Sequence, residues 1–84
     1  MNEITSSKVT KTSYMGKKAT LTTHHMDGRS SGLRIVALQF DGDANVKLRM
    51  VKGDGRKAGF QELRVIESLP QSDVAKTVKE WANA

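Results

Sequence analysis

The chain has 84 residues, no cysteine and 14 basic against 9 acidic side chains, a formal net charge of +5. That length suits one domain, and the missing cysteines exclude a disulfide framework, a thiolate zinc site and a cysteine nucleophile. The excess positive charge favours anionic partners: nucleic acid or an acidic protein surface. No apolar run approaches the ~20 residues of a membrane span, so no membrane partner is expected. The polar start MNEITSSK lacks the apolar core of a signal peptide, and a cytoplasmic protein is expected.

Residues 1–7 are polar and expected to be a disordered, frayed N-terminus, leaving 8–84 as a single small β-rich domain. Lys8–Tyr14 and Lys17–Thr23 are rich in Thr and β-branched residues and read as an edge hairpin turning at Met15-Gly16. His24–Gly32 reads as a loop. Leu33–Phe40 is the most apolar run and is apolar on both faces, which predicts a central strand or a place inside a small barrel. Asp41–Asn45 supplies a hairpin turn, and Val46–Val51 alternates apolar residues with Lys47 and Arg49, the pattern of a strand buried on one face.

KGDGRKAG then forms a glycine-rich basic loop. Residues 60–67 fit a strand by the Leu63/Val65 alternation and a helix by the spacing of Phe60, Leu63 and Ile66; the Val-Ile pair and the Gly59 boundary favour strand. Pro70 ends the ladder, Ser72 is placed to cap a helix over 72–83, and Val74, Val78, Trp81 and Ala82 form its apolar stripe. The expected fold is therefore α+β: an antiparallel, mostly meander sheet of about five strands with the C-terminal helix packed on it, or a small, partly open barrel.

Motifs for catalysis or metal binding fail on inspection. Asp41-x-Asp43-x-Asn45 opens like a calcium loop but has Val46 and Lys52 where glycine and glutamate belong. Gly53-x-Gly55-x-x-Ala58 matches a relaxed dinucleotide fingerprint, yet the chain is too short for the parallel sheet that motif needs. The adjacent His24 and His25 point to opposite faces of a strand and make no chelate. No enzyme activity, cofactor or metal is expected.

What remains is electrostatic. Lys47 and Arg49 share the outward face of one strand, Lys52, Arg56 and Lys57 continue into the loop, and Lys17, Lys18 and Arg34 are secondary candidates. Tyr14 beside Lys17 and Phe60 beside Lys57 are candidate stacking platforms or anchors, against which Phe40, Phe60 and Trp81 are of a kind more often found in a core. The leading expectation is a non-enzymatic nucleic-acid-binding module using about five phosphate contacts, with a log K against log salt slope near −4 on a duplex. The alternative is a protein-binding inhibitor or adaptor of the phage or plasmid type. It would dock on an acidic surface of a host enzyme or nucleic-acid-handling complex through Tyr14, Met15, Met26 or Phe60. Either module would be a monomer, or a homodimer joined at an exposed strand edge such as 8–14 or 60–66.

Overall fold

The computed structural model describes residues 4–26, 32–53 and 61–83. Five antiparallel strands follow one another across a single open sheet in the order β1-β2-β3-β4-β5. They are β1 (Ile4–Tyr14), β2 (Lys17–Met26), β3 (Arg34–Phe40), β4 (Asn45–Lys52) and β5 (Gln61–Pro70). A short 3-10 turn, Gln71–Asp73, leads into α1 (Val74–Asn83). The α+β meander expected from the sequence is thus the fold, and the sheet does not close into a barrel. Residues 61–67 are strand, as the Leu63/Val65 alternation indicated.

The turns follow local chemistry. Met15 and Gly16 both take positive φ, 52° and 81°, the conformation of a two-residue hairpin whose twist matches its strands. At the β3–β4 turn Gly42 has φ of 84°, the Asp43 amide bonds the Phe40 carbonyl at 3.0 Å, and Asp43 Oδ1 accepts from the Asn45 amide at 3.1 Å. Gly32 has φ of 63°, and a Cβ there would lie 2.8 Å from the Gly53 carbonyl oxygen, so the strand ends at β3 and β4 meet too closely for a side chain.

The core lies between the helix and one face of β3, β4 and β5. Cross-strand rungs Ile35–Met50–Arg64 and Ala37–Leu48–Ile66 run beneath α1, with Val46 opposite Leu69 beside them. Val78, Trp81 and Ala82 come down from the helix, and Val74 packs against their cluster. Ile35 and Leu48 are fully enclosed, and each such side chain contributes about 1.5–3 kcal/mol on leaving water. The Arg64 guanidinium lies 6.0 Å from the Trp81 ring centroid, covering its outer side. Between β4 and β5 the register shifts twice, at Val46/Leu48 and Met50/Val51, each time with an extra residue on β5. Such bulges bend and twist a strand.

Several expectations need correction. The first strand begins at Ile4, not Lys8: Ser6 and Ser7 pair with His25 and His24, so 4–7 belong to the ladder rather than to a frayed end. His24–Met26 complete β2 instead of opening a loop. Met26 is only 3% exposed, packed in the core cluster, and is no surface anchor. Ser72 does not cap the helix; it sits inside the 3-10 turn that follows Pro70, where no side chain caps. The basic loop with Arg56 and Lys57, and Phe60 after it, lie outside the described residues.

Candidate nucleic-acid interface

The helix covers one face of the sheet and leaves the other uncovered among the described residues. Strand register fixes what that open face carries. One rung runs Lys8–Thr23–Val36–Arg49–Val65, the next Thr10–Leu21–Leu38–Lys47, and the third Thr12–Ala19–Phe40, with Tyr14 opposite Lys17 at the hairpin end. Beyond the first of these, a further rung holds Ser6, His25, Arg34, Val51 and Glu62. Lys8, Lys17, Arg34, Lys47 and Arg49 therefore share one surface, although they come from four strands.

Two aromatic residues, Tyr14 and Phe40, meet on this surface. Tyr14 on β1 and Phe40 on β3 reach toward each other across Ala19 on β2, their ring centroids 6.2 Å apart and their planes tilted by 47°. Alanine is small enough to let the rings approach, and its own side chain is 1% exposed beneath them. Tyr14 remains 55% exposed, so much of its ring is open to solvent. The rings border a depression of about 230 Å³ that is also lined by Leu21, Val36, Leu38, Lys47 and Arg49. Its volume is below the ~300 Å³ at which small-molecule pockets begin.

Two acids stand against the cations. Lys47 Nζ lies 3.5 Å from Glu67, and Arg49 Nη1 donates to Glu62 at 3.3 Å, both carboxylates coming from β5. All four side chains are more than a third exposed. Exposed pairs of this kind contribute at most about 1 kcal/mol and are screened by salt. They hold the two cations in place and lower the local field, yet a competing phosphate can displace them. Arg34 is fixed differently: it is partly buried, and its Nη2 donates to the Gly53 carbonyl at 3.3 Å.

The residues expected to bind are thus divided. Lys17, Arg34, Lys47 and Arg49 come together on the open face with Tyr14. Lys18, opposite Ser13, and Lys52, opposite Gln61, alternate onto the other side. Lys8, a cation of the first hairpin that the sequence offered only as an extension of the basic face, joins the open face opposite Thr23. Phe40, expected in the core, is half-buried on the open face. Its alternation with Ala37 and Gln39 marked that face, but which side the helix would cover is not written in β3, which is apolar on both.

Short of Met26, the helix side of β2 is polar. Thr20, Thr22 and His24 face a groove of about 280 Å³ between this strand and α1. Lys11 Nζ donates to Thr20 Oγ1 at 2.9 Å, and Ser7 Oγ lies 2.7 Å from His24 Nδ1. Partial burial holds the His24 imidazole below its ordinary pKa of 6.5, because the charged form loses hydration there. Among the described residues no three His, Asp or Glu side chains cluster in a way that could hold a metal ion. No helix among them is long and apolar enough to cross a membrane. Comparison with known protein families, curated proteins and solved structures returned no match to this chain.

Proposed function

We propose that the protein is a non-enzymatic nucleic-acid-binding module that holds phosphates on the open face of its sheet. One observation carries this reading: strand register gathers Lys8, Lys17, Arg34, Lys47 and Arg49 on a single face, against Glu62 and Glu67 at its β5 margin. Lys47 and Arg49 alternate along one strand and stand about 7 Å apart, a spacing that lets neighbouring phosphates of one backbone be met in turn. Lys18 and Lys52 belong to the opposite side and contribute only to the general field.

The test is direct binding. Fluorescence anisotropy with labelled single-stranded and duplex oligonucleotides at about 50 mM salt should give saturable binding that weakens as salt rises. No binding to either form would overturn the proposal. Partners that stay bound through nuclease treatment of a lysate, with no oligonucleotide binding, would assign this face to an acidic protein surface instead.

A further inference from the structure

We infer that the preferred ligand is a single strand, with one base stacked on the Tyr14–Phe40 pair while the flanking phosphates meet Lys17 and Lys47. This inference rests on the phosphate-binding reading above and adds to it the part of the ligand that the aromatic rings would take. The positions of the rings support it. Tyr14 lies directly opposite Lys17, and Phe40 lies diagonally across the β3–β4 pair from Lys47, so a cation stands on each side of the ring pair. A nucleotide chain alternates flat apolar faces with anionic links, and this surface alternates in the complementary order.

A base can stack here only if its face is free. In a duplex both faces of each base are covered by its neighbours, and only the edges are presented in the grooves. A single strand can splay a base onto an aromatic ring, and each such stack contributes about 1–3 kcal/mol with little dependence on base identity. Tyr14 is open enough to receive one. Leu21, Val36 and Leu38 extend an apolar lining from the rings toward Lys47 and Arg49, where the sugar and the next base would lie. An acidic protein could use the same cations and bury Tyr14 as an anchor, and a preference for single strand over duplex is what separates the stacking seat from that use.

The experiment compares an oligo-dT of about 15 nucleotides, within the ~4–16 covered by a single-strand-binding fold, with a duplex of equal length. The proteins are the unaltered chain, Tyr14→Ala, Tyr14→Phe and Phe40→Leu. The single strand should bind the unaltered chain at least about tenfold more tightly than the duplex. Tyr14→Ala should weaken single-strand binding about 5- to 150-fold, the equivalent of one lost stack, without changing the salt slope. Tyr14→Phe should restore it, since the ring and not the hydroxyl is the platform, and Phe40→Leu should weaken it while keeping most of the side-chain volume. Equal affinity for both forms, or no effect of Tyr14→Ala, would refute the stacking seat while phosphate binding stands. No binding to either form would remove both. Tyr14 lies outside the enclosed core, so Tyr14→Phe should melt with the unaltered chain, and Tyr14→Ala, which gives up the contact with Phe40, should melt lower but remain folded at the temperature of the assay.

Discussion

Replacing Lys47 and Arg49 together by alanine tests the electrostatics at its centre. Among the described residues, Lys8, Lys17, Lys47 and Arg49 are the open-face cations not tied to a backbone carbonyl in the way Arg34 is to Gly53. Four phosphate contacts on a single strand predict a log K against log salt slope of about −3, and two predict about −1.5. Raising salt from about 50 to about 200 mM should then weaken the unaltered chain about 50-fold and the double variant only about 7-fold. The double variant should remain folded, because each lost ion pair is exposed and contributes at most about 1 kcal/mol. The complementary variant, Glu62→Gln with Glu67→Gln, removes the carboxylates that a phosphate must displace and should tighten binding about 2- to 30-fold. Anisotropy titrations at four or five salt concentrations read both effects. An unchanged slope in the double alanine variant, with binding intact, would show that phosphates are held elsewhere and refute the assignment.

Three further outcomes concern the scaffold. Trp81→Ala should cost about 3–5 kcal/mol, a large part of the ~4–12 kcal/mol expected for 84 residues, and a loss below about 1.5 kcal/mol in urea unfolding followed by circular dichroism would mean that Trp81 does not anchor the helix. Met15 sits at φ of 52° and is 87% exposed, so Met15→Asn should raise stability by up to about 1 kcal/mol by relieving left-handed strain; an unchanged or lower urea midpoint would contradict this. His24 has a folded pKa below its unfolded 6.5, so the unfolded chain binds the extra proton first as pH falls. Its contribution to stability is lost between 6.5 and the lower folded value and levels off below that. Urea midpoints measured between about pH 7.5 and pH 5 should fall less for His24→Gln than for the unaltered chain, and parallel curves would show that the imidazole is not desolvated.

The fold was legible where pattern and topology agree. An apolar run on both faces put residues 33–40 in the sheet's middle, short turns implied a meander, and Pro70 followed by the Val74–Trp81 stripe implied a docked helix. The site was less legible because it depends on register between strands. Lys47 and Arg49 were visible as an outward pair, but the two bulges that bring Glu67 and Glu62 beside them have no marker in β5. The alternation of β2 separated Ala19 and Leu21 from Thr20 and Thr22 correctly, yet gave no sign that the helix would lie on the threonine side. Burial of Met26 and exposure of Phe40 follow from that same choice of face. Ser6 and Ser7 are polar and read as a tail, since backbone pairing to β2 needs no apolar side chain.

Every residue of β1 is exposed, so this strand is held by its ladder to β2 and contributes nothing to the enclosed core. It can peel away at the expense of its backbone ladder, exposed side-chain hydrogen bonds such as Lys11–Thr20 and Ser7–His24, and the Tyr14–Phe40 contact, and its amides should exchange with solvent well before those of β3 and β4. Yet Tyr14 sits on β1 and Phe40 on β3, so a ligand seated on both rings would fasten the loosest strand to the firmest part of the sheet. Binding would then be recorded far from any contact, as slowed amide exchange along the whole of β1, and that strand would behave as a flap hinged on β2 whose latch is the ligand itself.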